Sequence, residues 1–204
     1  MTLMKRSLIN YILWKILGIL ENIIMRWWVL LLAISFVSLP STHVVASQQA
    51  VAIDYLHGES GLTGIRLAYR PYQTQIATFE WLGEFDVYWE ASVNLGEFGQ
   101  DNQHETNYAI VLSPMFSKQF DSSYGKYPLK WEFGIGVSLI TDTRFAVKNI
   151  GSHYQFEDRL GLILEFGEQL AKSLAVRYMH YSNGGLNDDN TGLYFLRLTY
   201  AREC

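Results

Sequence analysis

Residues 85–94 read FDVYWEASVN, and residues 129–138 read LKWEFGIGVS. In both stretches every second residue is apolar, and the residues between them are in most cases polar, charged or glycine. Successive side chains of a β-strand leave opposite faces, so this period of two predicts strands with one apolar and one polar face. These two stretches therefore predict an all-β fold class.

Similar runs between polar or glycine-rich breaks raise the number of predicted strands to eight, near 49–57, 62–70, 83–94, 106–116, 127–138, 154–166, 171–182 and 192–201. Eight antiparallel strands can close a barrel with no unpaired backbone edge, which a lipid bilayer requires. We therefore predict an eight-stranded antiparallel outer-membrane β-barrel over residues 47–204. Its bulky apolar side chains would face lipid, and its narrow interior would hold charged or small residues such as Arg66, Glu90, Glu132, Gly134 and Arg159.

A lipocalin-like barrel in the periplasm fits the same periodicity, with the apolar faces turned inward around a ligand. The Trp and Tyr content of the apolar faces favours the lipid-facing barrel, because these side chains gather at membrane interfaces. Within the barrel, Glu84, Glu90 and Glu132 are expected to pair with Arg66, Arg70 or Arg159.

The first 46 residues are predicted to be an N-terminal extension with a cleavable signal peptide. Met25-Arg26 precede the apolar run 27–39, and Pro40 and the small residue Ala46 follow it. This order is typical of a secretory signal, and the run is shorter than the ~20 residues of a spanning helix. We expect cleavage near Ala46 and translation from Met25, which begins a complete signal by itself.

Composition excludes several classes of protein. The chain has 204 residues, 16 basic and 20 acidic, and the predicted mature part is more acidic than the whole. Nucleic-acid binding is therefore not expected. The single Cys204 and the absence of metal-ligand spacings predict no disulfide, no metal and no cofactor. The expected partners are outer-membrane lipids, and the sequence leaves a homodimer open.

One candidate for chemistry lies where the seventh predicted strand ends, at residues 177–185, RYMHYSNGG. His180 and Ser182 are two residues apart and therefore leave the same, lipid-facing side of the strand. An imidazole beside a serine can activate its hydroxyl as a nucleophile, although such a pair also occurs as interfacial residues at a strand end. Asn183, Gly184, Gly185 and Asn190 could donate hydrogen bonds to an oxyanion, or could simply be turn residues.

These residues resemble the signature of a known family, the outer-membrane lipid A 3-O-deacylases. The match covers Arg177-Tyr178, His180, Ser182-Asn183, Gly185-Leu186, Asn190, Gly192 and Tyr200, and the segments 133–138 and 156–161 are also similar. The resemblance implies an eight-stranded barrel and a serine esterase, a carboxylic ester hydrolase without a cofactor. Its substrate would be lipopolysaccharide, from which it removes the ester-linked 3-hydroxyacyl chain at position 3 of lipid A in the outer leaflet.

The resemblance also assigns roles to individual residues. Ser182 would be the nucleophile and His180 the general base. The Gly185 backbone N–H and the Asn190 side chain would bind the oxyanion, with a weaker contribution from Asn183.

One position departs from the family pattern. The family places a glutamate twelve residues after the serine to orient the histidine, and this chain has Tyr194 there. Either the Tyr194 phenol accepts a hydrogen bond from His180, or Asp188 or Asp189 reaches across from the loop, or activity is lost. A non-catalytic structural barrel and an outer-membrane phospholipase are therefore the alternative functions.

Overall fold

The computed structural model describes residues 49–71, 73–79, 83–100 and 103–204. The predicted signal peptide and its cleavage site lie outside the described residues, so that they remain predictions. No helix within the described ranges is long and apolar enough to cross a membrane.

Strands make up most of the described chain. Their bounds are β1 Ala50–Gly58, β2 Thr63–Arg70, β3 Gln73–Phe79, β4 Gly83–Gln100, β5 Gln103–Ser123, β6 Tyr127–Ile140, β7 Arg144–Phe145, β8 Lys148–Asn149, β9 Tyr154–Phe166, β10 Lys172–Ser182 and β11 Leu193–Glu203. Two 3-10 turns, Glu59–Gly61 and Glu168–Leu170, connect β1 to β2 and β9 to β10.

Antiparallel pairing closes these strands into a barrel. The strand order is β2-β1-β11-β10-β9-β6-β5-β4, and β4 pairs back to β2, from Thr63 with Glu97 to Tyr69 with Ala91. The eight-stranded antiparallel barrel predicted from the sequence is thereby confirmed. Closure leaves no free edge among these eight strands, so their backbone groups find partners within the sheet.

Three short strands were not predicted. β3 pairs with the first part of β4, along the same edge of β4 that pairs with β2 further on. Pro71 lies between β2 and β3 in the chain. β7 and β8 form a separate hairpin of two residue pairs. Strands of two residues carry no detectable period, and β4 and β5 also run past their predicted ends, to Gln100 and Ser123.

The two faces of the sheet carry opposite kinds of side chain. Buried interior positions include the fully enclosed charges Arg66, Glu90, Glu132, Glu157 and Arg177. The outer face exposes large apolar side chains from every part of the barrel, among them Ile53, Leu67, Val93, Ile110, Val137, Leu162, Val176 and Leu198. This distribution is that of a barrel surrounded by lipid, and it excludes the lipocalin-like alternative.

Ion pairs occupy a large part of the interior, beside a buried apolar cluster that includes Leu56, Ile140, Met179 and Phe195. Glu90 accepts hydrogen bonds from Arg66 (2.7 Å), Arg159 (2.6 Å) and Arg70 (3.0 Å), as expected. Glu132 instead binds Arg177, and the Tyr88 hydroxyl donates to it at 2.6 Å. Expected pairing was therefore right for Glu90, whereas the partner of Glu132 comes from β10, and the expectation was wrong for Glu84, which is exposed at the start of β4.

Glycine makes room for these long side chains. A Cβ at Gly161 would lie 2.9 Å from both Arg177 Cγ and Glu132 Oε1. A Cβ at Gly136 would lie closer still to the Ser113 hydroxyl. The small residues in the β6 and β9 patterns therefore mark where the interior is most crowded.

Replacing Glu90 with glutamine should destabilise the barrel by about 3–5 kcal/mol, because three guanidinium groups would lose their shared buried counter-charge. Urea unfolding in detergent or lipid vesicles measures this as a lower midpoint. Glu97→Gln is the matched control, since Glu97 is exposed on the same strand. Equal midpoints for the two variants would contradict the stabilising role of Glu90.

Candidate active site

The candidate residues gather at one end of the barrel, which we call the distal end. Gly58 pairs with Phe195 near this end, whereas Ala50 pairs with Glu203 at the opposite one. The distal end carries the turn Glu59–Gly61, the β7–β8 hairpin and residues 183–192 between β10 and β11.

His180 and Ser182 lie on the outer face of β10, as their spacing predicted. The same face exposes Leu174, Val176 and Tyr178 lower on the strand. Both candidate residues are half-buried, and His180 keeps a quarter of its side chain exposed. The structure forms no hydrogen bond between the Ser182 hydroxyl and His180, although both are described. Catalytic hydrogen bonds are often long before substrate binds, so this geometry is compatible with a nucleophile and its base.

The strands on either side supply the neighbours of His180. Its cross-strand partners are Asp158 on β9 and Tyr194 on β11. His180 Nδ1 lies 3.2 Å from Asp158 Oδ2, a hydrogen-bond distance. Sequence reasoning missed Asp158, because only the register between β9 and β10 places it beside His180. The sequence did offer one signal. Asp158 is separated by an even number of residues from Leu160 and Leu162, which face outward, so it lies on the same outward face.

Tyr194 makes a different contact from the one expected. Its ring stacks on the imidazole, with centroids 4.5 Å apart and planes inclined by 15°. Tyr178 in turn stacks on Tyr194, with the two ring centroids 6.0 Å apart. A ring N–H points along the plane of the imidazole, so a stacked phenol does not accept its proton. Tyr194 therefore packs beside His180 in this structure rather than binding Nδ1.

Gly192 lies against the other imidazole nitrogen. A Cβ built on this residue would come within 2.6 Å of His180 Nε2, and its φ of +65° is one that favours glycine. Gly192 directly precedes Leu193, which is the cross-strand partner of Tyr181. Nε2 therefore lies near the backbone at the start of β11. Gly192 therefore limits the space on the Nε2 side of the ring.

The segment after Ser182 is organised by Asn183. The buried Asn183 donates its backbone N–H to Asn190 Oδ1 at 3.0 Å, which fixes the orientation of the Asn190 amide. The Asn190 NH₂ group then remains to donate to a ligand. By contrast, the Gly185 N–H donates to Asn183 Oδ1 at 2.9 Å and is therefore already engaged. Of the predicted oxyanion donors, Asn190 is the one this arrangement presents.

The end of β8 and the residues that follow it contact this segment. Asn149 Nδ2 donates to Asp189 Oδ2 at 2.6 Å, and Asn183 Nδ2 donates to the Asp189 carbonyl at 2.7 Å. Gly151 has a φ of +81°, and a Cβ there would overlap the Asp189 carbonyl oxygen. Asp189, one of the two loop aspartates proposed to replace the missing acid, thus binds Asn149.

A second carboxylate, Glu59, lies beside Tyr194. Lys148 Nζ donates to Glu59 Oε1 at 2.5 Å, and the Tyr194 backbone N–H donates to the same oxygen at 3.1 Å. Burial acts to raise the pKa of Glu59, but the hydrogen bonds and the charge of Lys148 outweigh it and lower the pKa below its usual value. Glu59 is therefore an ionised and satisfied group.

Comparisons with known proteins show which proteins this chain is similar to. A sequence model of a family described as lipid A 3-O-deacylase (PagL) matches residues 63–203. The chain is 32% identical over 167 residues to the lipid A deacylase PagL of Pseudomonas aeruginosa, covering 80% of this chain and 91% of that protein. It is 44% identical over 72 residues to the lipid A deacylase PagL of Bordetella bronchiseptica, covering 34% of this chain and 38% of that protein.

A solved structure is also similar. The crystal structure of the outer-membrane enzyme PagL matches with a TM-score of 0.61 and 27% identity, covering 75% of this chain and 98% of that chain. Sequence and structure therefore point to the same relatives over most of the barrel.

Replacing Gly192 with alanine should lower the rate of fatty-acid release from lipid A by about 10²-fold, since a 1 Å displacement of a reacting group can cost that much. The added methyl group would push His180 Nε2 away from its position. Gly125→Ala is the matched control for backbone strain, because Gly125 has a φ of +64° and open space around it. An equal loss in both variants would attribute the effect to strain and not to His180.

Proposed function

The chain belongs to the lipid A 3-O-deacylase (PagL) family and is an outer-membrane β-barrel protein of Gram-negative bacteria, and we therefore propose that it deacylates lipid A. In this proposal it is a serine esterase that hydrolyses the ester-linked 3-hydroxyacyl chain at position 3. The observation that carries the proposal is the pair His180 and Ser182 on the outer face of the barrel, beside a segment that presents the Asn190 amide.

Location on the outer face determines how substrate arrives. The apolar exterior of β9, β10 and β11 leads up to the site through Leu162, Val176 and Leu198, which are all exposed. An acyl chain could lie along this surface while its ester reaches Ser182. Lipopolysaccharide would then approach laterally, within the outer leaflet, and the barrel interior would have no part in binding.

The reaction follows the usual course of acyl transfer. His180 Nε2 accepts the proton of Ser182 Oγ as Oγ bonds to the carbonyl carbon of the ester. The tetrahedral intermediate then collapses, breaking the bond to the sugar oxygen, which takes the proton from His180. Water attacks the acyl-enzyme by the same steps, releasing the fatty acid and restoring Ser182.

The intermediate carries a negative oxygen that needs a donor. Asn190 is held by Asn183 through its own oxygen, so its NH₂ group is free and oriented before the reaction begins. Preorganised donors of this kind stabilise an oxyanion without reorganising during the reaction. Gly185 could contribute only if its N–H left Asn183 Oδ1 when substrate binds.

Ser182→Ala should abolish lipid A deacylation while the barrel remains folded, because the nucleophile would be lost. Mass spectrometry of lipid A from cells producing each variant measures the loss of one 3-hydroxyacyl chain. Ser173→Ala, on the same strand but at its other end, is the matched control and should retain activity.

Two results would contradict the proposal. An unchanged acyl pattern with the folded unmodified chain would favour the structural barrel. Release of fatty acid from phospholipid vesicles, but none from lipid A, would favour the phospholipase.

Asn190→Asp should reduce kcat by about 10²–10³-fold, the cost of losing one oxyanion donor. The aspartate keeps an oxygen for the Asn183 N–H but offers no donor, and its charge repels the oxyanion. Asn187→Asp makes the same change in the same segment at an exposed position and should cost far less. Equal rates for unmodified protein and Asn190→Asp would remove Asn190 from the proposed oxyanion site.

A further inference from the structure

We infer that Asp158 on β9 is the carboxylate that orients His180 and stabilises its protonated form, replacing the glutamate that Tyr194 displaces on β11. This inference rests on the proposed function, since it assigns a positioning residue to the proposed Ser182 and His180 pair. The sequence analysis did not identify this residue as part of the site. The 3.2 Å contact between His180 Nδ1 and Asp158 Oδ2 carries it.

Sheet register fixes this contact. Asp158 and His180 are directly opposite each other across the β9–β10 pair, in a ladder that is regular from Lys172 with Phe166 to Ser182 with Phe156. Side chains in such a pair start about 4.5–5.5 Å apart at Cβ, on the same face. The short aspartate side chain therefore reaches the near nitrogen of the imidazole without reaching across a second strand.

Each ring nitrogen then has one task. An Nδ1–H donated to Asp158 leaves the lone pair on Nε2, which is the tautomer a general base requires. Nε2 lies on the side of Gly192, and in the proposed function it is the nitrogen that accepts the Ser182 proton. Stacking of Tyr194 fixes the plane of the ring, so the direction of both nitrogens is determined.

The other charged groups around His180 do not compete for this role. From the turn after β1, Glu59 is engaged by Lys148 and by the Tyr194 backbone. From β8, Lys148 lies with its Nζ 5.7 Å from the Tyr194 ring centroid and is paired with Glu59. Among the described residues, Asp158 is the carboxylate in hydrogen-bond contact with the imidazole.

A purely structural role explains Asp158 poorly. Its side chain is 44% exposed, and exposed ion pairs contribute little to stability. It also interrupts an outward row that continues with Leu160 and Leu162, where an apolar side chain would suit the surroundings better. A carboxylate at this position is explained by its effect on the histidine.

Asp158→Asn is the first test, with kcat and KM measured on lipid A in detergent micelles. Asparagine keeps the size of the side chain, but its NH₂ group favours the wrong histidine tautomer, a change that can cost up to about 10⁴-fold in kcat in a serine triad. We expect a fall in kcat of at least about 10²-fold with little change in KM, because the interaction matters only in the transition state. Glu168→Gln, a carboxylate removed at the opposite end of the barrel, is the control and should match the unmodified protein.

Tyr194→Glu in the Asp158→Asn background is the second test. A carboxylate on β11, the other cross-strand partner of His180, should restore at least part of the lost kcat. In the unmodified background Tyr194→Glu should give no gain in kcat, since Asp158 already occupies Nδ1 and the variant loses the ring that stacks on the imidazole. A structural role for Asp158 on β9 would not be rescued from β11.

The outcomes separate this inference from the proposed function. If Ser182→Ala is inactive while Asp158→Asn keeps full kcat, Asp158 is not the orienting carboxylate but the serine esterase stands. A large gain from Tyr194→Glu alone would show that the acid is absent, and would likewise overturn the inference. If Ser182→Ala remains active, the proposed function itself fails. Should Asp158→Asn not fold, Asp158→Ser with the same rescue tests the same point.

Discussion

Closure of the backbone hydrogen bonds around the barrel is the constraint on which the rest of this structure depends. In hydrocarbon an unpaired N–H or C=O group has no water to bind, so the sheet must return to its own first strands, as β4 does by pairing with β2. Closure fixes every register at once. The position of His180 between Asp158 and Tyr194 is a consequence of two such registers, β9 with β10 and β10 with β11.

Because successive side chains alternate between the two faces of each strand, the inner and outer faces of the closed barrel carry different kinds of residue. The interior face is occupied by buried ion pairs around Glu90 and Glu132, packed against glycines that leave them space. The residues proposed for chemistry, His180 and Ser182, lie on the other, outward face. There, at the distal end, the strands hold His180 beside Asp158 and Tyr194, and in the proposed function segment 183–192 would contribute the Asn190 amide while the membrane would present the substrate. Site and lipid therefore share one surface.

Sequence reasoning reached the barrel and its strand number because alternation is a local property of each strand. It placed His180 and Ser182 on the same outward face of one strand because their separation by two residues is local as well. What it missed depends on contacts between distant segments: the β7–β8 hairpin, the engagement of the Gly185 N–H by Asn183, and the pairing of Asp158 with His180. Register between strands is not written in either strand alone, so Asp158 looked like an ordinary polar interruption of an outward row.

Tyr194 shows how a departure from a family pattern can be accommodated by the opposite neighbour. A catalytic imidazole needs its plane fixed, its proton on Nδ1 and a negative charge nearby when Nε2 becomes protonated. A single glutamate on β11 would serve the last two needs from one side. In this chain β11 supplies a stacked ring that fixes the plane, and β9 supplies the carboxylate at Nδ1. Because antiparallel pairing gives every outward residue of β10 two lateral neighbours, the acid can move from one strand to the other without disturbing the serine, the histidine or the segment proposed to bind the oxyanion.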